Sequence, residues 1–217
     1  MRRVKIKICG ITRIEDLETA CNLGADAVGF IVNIPSSPRS LTIKEVEKLI
    51  KHTPIFVKSV LVIAPQDLYE VLKLYEELRP DIVQIHGDLN IKPLREKLPS
   101  IPIIKGIAVK SEETVKTAIE ISKYSNAILV DSYSKGRSGG TGITHNWSIS
   151  RSIRDAIYPK PLILAGGLNP GNVKDAIRIV KPYAIDVSTG VEVNPGVKDP
   201  GKIEAFIRNA REVAIDD

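Results

Sequence analysis

The chain has 217 residues, of which 43% are hydrophobic and 26% are charged, and its formal net charge is +5. These values are typical of a globular protein and exclude a disordered or fibrous chain. No basic run is interleaved with aromatic residues, so we expect no nucleic-acid partner, and the positive balance fits an anionic small substrate.

No apolar stretch approaches the ~20 residues of a membrane span. The first residues run directly into a predicted strand and lack the apolar core of a signal peptide. We therefore expect a cytoplasmic protein with no membrane partner. Two cysteines, Cys9 and Cys21, are too few for a disulfide framework or a thiolate metal site. Cys21 lies in a helical pattern with apolar neighbours and is expected to fill the core.

Apolar, β-branched runs recur at fairly even spacing, and each is followed by a segment with helical periodicity. The predicted strands are 4–9, 26–32, 55–63, 81–86, 102–108, 126–131, 161–165 and 184–188. The predicted helices are 13–24, 42–51, 66–79, 91–98, 111–124, 147–157, 170–181 and 200–214. Eight units of ~26 residues predict an α/β protein with one domain over 1–217, a (β/α)8 TIM barrel. The alternative is an open doubly wound sheet, but eight strands without a further domain favour closure.

Several helix ends carry recognisable signals. Thr42, Asn169 and Asp199 stand where N-caps are needed, and Gly24 suits a C-cap. The longest connection, roughly 132–146, is rich in glycine and serine and follows the sixth strand. A loop of this length in a compact chain is typical of an active-site lid or a disordered segment.

Cys9 ends the first predicted strand, at the edge of the barrel where ligands bind. Alternation places Lys5, Lys7 and Cys9 on one face, and the apolar residues between them suit the helix layer. Lys7 and Cys9 should therefore face the barrel interior. A nearby ammonium favours the thiolate, so Cys9 is a candidate base. The alternative is that Cys9 is a small apolar residue filling the barrel mouth.

Asp131 follows an apolar run at the end of the sixth strand and caps no evident helix. A carboxylate is costly to bury there unless it is paired, so Asp131 is a candidate acid. The alternative is an ion-pair partner for Lys7 across the barrel. Asp186, on the eighth strand, is a rival acid but lies one or two residues short of the rim, so we interpret it as structural.

Two glycine-bearing loops follow the seventh and eighth strands. The first contains Gly166 and Gly167, and the second contains Ser188, Thr189 and Gly190. Glycines allow backbone N–H groups to approach a dianion, and hydroxyl groups add donors. Loops at these two positions commonly hold phosphate in such barrels. Together they predict a phosphate site.

Three further polar residues lie near the same rim. Arg39, after the second strand, is either a solvated loop residue or a bidentate partner of a substrate carboxylate. Gln84 and His86 share a face of the fourth strand and either orient substrate or complete a polar inner layer. His86 also raises a zinc hypothesis, but the remaining histidines, His52 and His145, do not lie on strands, so no metal is predicted.

These segments together closely resemble the phosphoribosylanthranilate isomerase family of tryptophan biosynthesis over nearly the whole chain. The matching segments are 7–12, 24–30, 37–39, 83–87, Asp131, 139–142, 146–147, 165–170 and 186–192. The opening Lys-Ile-Cys-Gly-Ile-Thr, the Gly-Gly-Leu-Asn-Pro and the Ser-Thr-Gly-Val-Glu segments are specific in combination. The chain departs from the family in the lid, 133–144, and at Thr189, where serine is common.

The resemblance implies an isomerase that needs no cofactor. Its reaction is the Amadori rearrangement of N-(5-phosphoribosyl)anthranilate to 1-(2-carboxyphenylamino)-1-deoxyribulose 5-phosphate. Carried over from the family, Cys9 is the general base, Asp131 is the general acid and Arg39 faces the anthranilate carboxylate. The acid must be protonated to act, so the pKa of Asp131 should lie above its ordinary ~3.9. The family leaves a monomer or a homodimer open.

Two other functions fit part of this pattern. The aminoaldose isomerase of histidine biosynthesis is a related phosphosugar barrel, but it would have an aspartate in place of Cys9. A phosphate-binding barrel without catalysis would keep both glycine loops, yet it has no need for a thiol and a carboxyl group on facing strands.

Overall fold

The structure, a computed structural model, describes residues 2–134, 137–138 and 144–215. Eight parallel strands pair side by side, and the first strand pairs with both the second and the eighth, so that the sheet closes. The predicted (β/α)8 TIM barrel is therefore confirmed, and the open doubly wound sheet is excluded.

We number the barrel strands and the helices in chain order. The strands are β1 Lys5–Cys9, β2 Ala27–Val32, β3 Lys58–Ile63, β4 Ile82–Ile85, β5 Ile103–Val109, β6 Ala127–Ser134, β7 Leu162–Leu164 and β8 Ala184–Val187. The helices are α1 Ile14–Asn22, α2 Ile43–His52, α3 Leu68–Leu78, α4 Lys92–Lys97, α5 Thr114–Ser122, α6 Trp147–Ile157, α7 Val173–Val180 and α8 Pro200–Arg211. Short unpredicted strands also occur at Ser40–Leu41, Arg137–Ser138, Glu192–Asn194 and Val197–Lys198.

Some predicted boundaries were wrong for local reasons. The third strand begins at Lys58 rather than at 55, because Ile55 and Phe56 lie in a turn and are 88% and 94% exposed. The predicted cap Asn169 instead accepts a hydrogen bond from the N–H of Gly171, and α7 begins three residues after the predicted start of that helix. A side chain that stabilises a turn in this way competes with helix initiation.

Other helix ends formed as predicted. Thr42 and Glu45 make a reciprocal capping box at the start of α2. Asp199 accepts a hydrogen bond from the N–H of Lys202 at 3.0 Å, which caps α8. Gly24 follows α1 with a φ of +97°, a conformation that residues with a Cβ rarely adopt.

Alternation along the strands separates two packing layers. Val4, Ile6 and Ile8 belong to the large core between sheet and helices, whereas Cys9 belongs to a smaller cluster inside the barrel. The predicted inward orientation of Cys9 is therefore confirmed. Among the residues described, no helix is long and apolar enough to cross a membrane.

Candidate active site

Lys7 and Asp186 form a buried ion pair inside the barrel, between β1 and β8. Lys7 Nζ donates to Asp186 Oδ1 at 2.9 Å, and both side chains are almost fully buried. Burial lowers the pKa of Lys7, but the negative charges of Asp186 and Cys9 outweigh it, and the net pKa is raised. The sequence left Asp131 open as the partner of Lys7. The partner is instead Asp186, which also lines the small cavity described below, so its interpretation as a structural residue stays a prediction.

The Cys9 thiol lies beside this pair. Burial raises its pKa, and Lys7 lowers it only in part, so the net pKa is raised above the ordinary value. Lys7 thus favours the thiolate, as expected, but burial has the larger effect on the pKa of Cys9. The negative charge of Asp186 offsets part of the effect of Lys7 on the thiol. Loss of hydration is the largest single influence on the pKa of Cys9. At neutral pH, Cys9 is predominantly a thiol.

Gly29, on β2, makes room for both groups. A Cβ built at this position would lie 2.8 Å from Cys9 Sγ and 3.0 Å from Lys7 Nζ. Any side chain there would displace the thiol or the amine, because real Cβ atoms do not approach other atoms this closely. The absence of a side chain at Gly29 thus helps to set the position of the candidate base.

Asp131 stands near the end of β6, partly buried. Burial raises its pKa to about 6, with a smaller contribution from Asp186, while the N–H of Ser132 and the charge of Lys7 act in the opposite direction. Ser132 N donates to Asp131 Oδ1 at 2.7 Å. Among the described residues, Asp131 makes no ion pair, and the direction of its pKa shift is the one that a general acid requires.

The two glycine loops pack against each other at the ends of β7 and β8. Gly166 and Gly167 have φ values of +86° and +65°, so their N–H groups take directions that other residues rarely allow. A Cβ on Gly190 would overlap the carbonyl oxygen of Leu168. This close approach requires glycine at that point. Ser188 Oγ is buried and has no hydrogen-bond partner among the described residues, so it can donate to a ligand.

A small cavity of about 50 Å³ joins these loops to the candidate acid. Its lining residues include Asp131, Gly166, Gly167, Ser188, Thr189 and Gly190. The structure therefore brings together the predicted acid and both predicted phosphate loops. In the closed sheet, β7 and β8 lie between β6, which carries Asp131, and β1, which carries Cys9.

Arg39 is buried rather than solvated, and its guanidinium already has a carboxylate partner. Arg39 Nε and Nη2 donate to the two carboxylate oxygens of Glu192 at 2.7 Å and 2.6 Å. Arg39 Nη2 also lies 3.5 Å from Thr189 Oγ1. Two donors of the planar fork are thus occupied within the protein. A contact with a substrate carboxylate, which stays a prediction, would use the donors that remain.

The sequence interpretation missed Lys198, which completes this network. Its fully buried ammonium donates to Cys9 O at 2.6 Å, Ser188 O at 3.2 Å and Glu192 Oε1 at 2.8 Å. Lys198 therefore uses all three of its donors. It ties the tips of β1 and β8 to the carboxylate that holds Arg39. A lysine eleven residues beyond the end of the eighth barrel strand carries no sequence signal for such a position.

Gln84 and His86 contact each other on the inner face of β4. The Nε2 atom of Gln84 lies 2.7 Å from the Nε2 atom of His86. Burial, together with the charges of Lys105 and Lys7, lowers the pKa of His86 to about 4, so the ring is neutral at neutral pH. Gln84 Oε1 is buried without a partner among the described residues. Their predicted role in orienting substrate stays a prediction.

The predicted lid lies partly outside the described residues, which exclude 135–136 and 139–143. At its end, His145 Nε2 and Nδ1 lie 2.6 Å from Ser150 Oγ and 3.2 Å from Ser132 Oγ. Burial lowers the pKa of His145 to about 4.

Cys21 is half-buried against the core. The described part of the chain contains no group of three His, Cys, Asp or Glu side chains that could hold a metal ion.

Comparison with known proteins places this chain in a family. The sequence profile of N-(5'-phosphoribosyl)anthranilate isomerase matches residues 6–209. The chain belongs to this family. It is 44% identical to the N-(5'-phosphoribosyl)anthranilate isomerase of Methanothrix thermoacetophila, an alignment that covers 95% of this chain and 98% of the relative. Identity to the Methanosarcina mazei isomerase 1 is 45%, over 96% and 95% of the two chains.

Solved structures agree with the family assignment. The crystal structure of the phosphoribosyl anthranilate isomerase of Thermotoga maritima superimposes with a TM-score of 0.87 and 36% identity, covering 97% of this chain and 100% of that one. A crystal structure of a phosphoribosyl anthranilate isomerase with reduced 1-(o-carboxyphenylamino)-1-deoxyribulose 5-phosphate superimposes with a TM-score of 0.84, at 35% identity and with the same coverage. The barrel fold is that of the family.

Proposed function

We propose that this barrel mouth isomerises N-(5'-phosphoribosyl)anthranilate with Asp131 as general acid and Cys9 as general base. The activity and its place in tryptophan biosynthesis follow from membership of the family. The observation that carries the assignment of roles is the strand order. The candidate acid on β6 and the candidate base on β1 flank β7 and β8, whose loops form the candidate phosphate site.

The chemistry needs one proton delivered and one removed. A protonated Asp131 delivers a proton to the furanose ring oxygen, which opens the sugar to an iminium ion. The Cys9 thiolate then removes the proton from the adjacent sugar carbon, giving an enolamine that tautomerises to the ketone. The raised pKa of Asp131, about 6, keeps a usable share of the protonated acid near neutral pH.

The remaining rim residues bind the substrate in this proposal. The N–H groups at Gly166, Gly167 and Gly190 and the hydroxyl groups of Ser188 and Thr189 hold the phosphate. Arg39 faces the anthranilate carboxylate with the donors that Glu192 leaves available. Gln84 and His86 orient the sugar, and Lys7 sets the charge around the thiol.

We also propose the class of substrate, the oligomeric state and the location of the protein. The substrate is a small phosphosugar, and the assembly is a monomer or a homodimer. One solved relative consists of monomers generated from the dimeric phosphoribosylanthranilate isomerase of Thermotoga maritima. The proposed location is the cytoplasm.

Turnover tests the proposal directly. Phosphoribosylanthranilate made in situ is fluorescent through its anthranilate group, and loss of that signal reports isomerisation. We expect signal loss that depends on enzyme concentration, and no turnover of the aminoaldose of histidine biosynthesis. A purified, folded protein that leaves the fluorescence unchanged would contradict the proposed function.

A further inference from the structure

A short β-hairpin after the eighth barrel strand places two opposite charges side by side. Its strands are Glu192–Asn194 and Val197–Lys198, and Glu192 faces Lys198 across the antiparallel pair. Residues that oppose each other in such a ladder project their side chains to the same face. Asp16 on α1 fastens the hairpin, because its carboxylate accepts a hydrogen bond from Lys198 N at 3.0 Å. Backbone pairing thus fixes the positions of both charged side chains.

The amine of Lys198 has three oxygen acceptors around it, which is the geometry of an ammonium group. Two of these acceptors are carbonyl oxygens and the third belongs to the carboxylate of Glu192. A neutral amine has only two N–H groups and would turn its lone pair towards one of the oxygens. Burial lowers the pKa of Lys198, and Glu192 opposes this shift. Burial raises the pKa of Glu192, but Arg39 and Lys198 outweigh it and the net pKa is lowered.

Glu192 is shared between two buried cations. Its Oε1 atom accepts hydrogen bonds from Lys198 Nζ at 2.8 Å and from Arg39 Nε at 2.7 Å, and its Oε2 atom accepts from Arg39 Nη2. One carboxylate compensates one cation, so this cluster of three side chains keeps one positive charge. The neighbouring pair of Lys7 and Asp186 has no net charge. A buried charge without a counter-charge is costly, and an anionic ligand would relieve that cost.

Arg39 is the member of the cluster that can meet a ligand. Among the described residues, its side chain donates hydrogen bonds only from Nε and Nη2, so both N–H groups of Nη1 remain available. A Cβ built on Gly10 would lie 2.5 Å from Arg39 Cδ and 2.9 Å from Ser188 Oγ. The arginine therefore passes between the residue that follows Cys9 and the candidate phosphate loop. Free N–H groups of a guanidinium suit a carboxylate.

We propose that Lys198 is a positioning residue that determines specificity, because its charge compensates Glu192 and so leaves the cluster one positive charge for the carboxylate of the substrate. This inference rests on the proposed function, in which Arg39 faces the anthranilate carboxylate. Lys198 acts through Glu192 and Arg39 without touching the substrate. Without Lys198, Arg39 and Glu192 would form a neutral pair, and the substrate carboxylate would compete with Glu192 for one guanidinium.

Two competitive ligands isolate the carboxylate. The first is reduced 1-(o-carboxyphenylamino)-1-deoxyribulose 5-phosphate, and the second is its phenylamino counterpart, which lacks only the carboxylate. Calorimetric titration of the full chain gives both dissociation constants, and their ratio reports the carboxylate alone, because sugar and phosphate are common to both ligands. We expect the wild type to prefer the first ligand by at least ~30-fold. Lys198→Met should reduce this preference by ~10-fold, the effect of losing one charge ~10 Å away at an effective dielectric constant of ~20.

Two further variants separate the charge of Lys198 from its hydrogen bonds and from the overall charge. Lys198→Gln keeps two N–H donors without the charge and should lose the preference as Lys198→Met does. The matched control is Lys202→Met, at the start of α8. Lys202 Nζ donates to the carbonyl oxygen of Glu192 at 2.7 Å, so this variant removes one positive charge beside the same hairpin but leaves the carboxylate of Glu192 alone. Its ratio should stay within about twofold of the wild type, because exposed charges are screened.

The wild type by itself can overturn the proposal, with no variant that has to fold. Equal affinity for the two ligands would remove the carboxylate from the site. In folded Lys198→Met or Lys198→Gln, an unchanged ratio, with or without weaker binding of both ligands, would leave Lys198 a purely structural role or assign its charge to the phosphate. An equal loss of preference in Lys202→Met would assign the effect to overall charge.

These binding measurements are independent of turnover. A folded wild type that leaves the substrate unchanged would contradict the proposed function. An active isomerase whose Lys198 variants keep the full preference for the carboxylate would contradict only the role of Lys198.

Discussion

On the β8–β1–β2 side of the barrel, each buried cation is paired with a carboxylate. The buried amine on the β4–β5 side, that of Lys105, donates only to backbone carbonyl groups among the described residues. The pairs on the first side are Lys7 with Asp186, and Arg39 and Lys198 with Glu192. On the second side, Lys105 has a lowered pKa, and the neutral His86 contacts Gln84.

The difference shows how burial acts on a charge with and without a partner. Where a carboxylate is at hydrogen-bonding distance, the pair stays ionised and holds its surroundings in place. Where none is present, burial shifts the equilibrium towards the neutral form, and the group becomes a potential acid or nucleophile. Asp131, unpaired among the described residues, follows the second rule, and its pKa rises to about 6.

The largest expected effect is at the candidate base, on the paired side. Cys9→Ser should preserve the fold and reduce turnover by ~10²–10⁴, the usual contribution of a positioned proton-transfer group. The control is Cys21→Ser, which should affect only stability. Both are measured by loss of substrate fluorescence. Near-normal turnover in Cys9→Ser, or an inactive but folded Cys21→Ser, would remove Cys9 from its role.

Asp131→Asn should also reduce turnover by ~10²–10⁴, while binding of a product analogue stays within ~10-fold, because the amide keeps the shape but delivers no proton.

The same variant should be more stable than the wild type. The folded-state pKa of about 6 lies above the ordinary value of 3.8, so folding favours the protonated acid. The stability contribution of Asp131 is therefore highest at low pH and declines as the pH rises from 3.8 to about 6.

Denaturant titration of Asp131→Asn should thus show a gain of about 1–3 kcal/mol in the free energy of unfolding at pH 8, and little gain at pH 4. Asp186→Asn provides the contrast from the paired side. It leaves Lys7 buried without its partner and should cost about 3–5 kcal/mol. Wild-type turnover in Asp131→Asn would make Asp186 the next acid to test.

A substitution at the candidate phosphate site should have an intermediate effect, on substrate binding. Gly167→Asp places a negative charge beside the phosphate and should raise KM by at least ~10-fold, given the strength of repulsion between close charges. Gly171→Asp, exposed in the same turn, is the matched control and should bind substrate normally. Inorganic phosphate should compete with substrate in the wild type. An unchanged KM in folded Gly167→Asp would mean that the phosphate lies elsewhere.

The two kinds of buried lysine should differ in their contribution to stability. Lys198→Met deprives two strand tips and Glu192 of a donor and should lower the free energy of unfolding by about 2–4 kcal/mol. Lys105→Met leaves only two backbone carbonyl groups without their donor and should cost about 1–2 kcal/mol. Chemical denaturation measures both values. Equal costs, or the reverse order, would contradict the contrast between the two sides.

The pH dependence of kcat carries the smallest effect. Asp131 ionises at about pH 6 and Cys9 only above its ordinary range, so the active form, thiolate with protonated acid, is a minor species. The population of this active form rises with pH up to about 6 and stays constant between the pKa values of Asp131 and Cys9. It falls again above the pKa of Cys9. In Asp131→Asn, the break near pH 6 should disappear from the residual activity. Its persistence would assign that break to another group.

Much of this site was predictable from local patterns. Alternation along Lys5–Cys9 placed the thiol inside the barrel, and the position of Asp131 after an apolar run placed a carboxyl group at the rim. The glycine pairs after the seventh and eighth strands predicted the loops that line the small cavity. Each of these inferences needs only a few consecutive residues, because strand periodicity and glycine conformation are local properties.

The residues by themselves determined the eight alternating units, the face on which each strand residue lies and the family to which the chain belongs. The tertiary structure decided which charges meet. Closure of the sheet puts β8 beside β1, so Lys7 meets Asp186 rather than Asp131. A two-residue strand, Val197–Lys198, brings Lys198 to the carboxylate of Glu192, which also accepts hydrogen bonds from Arg39. Partner choice and burial set the pKa of each group, and both depend on distances that no local pattern contains.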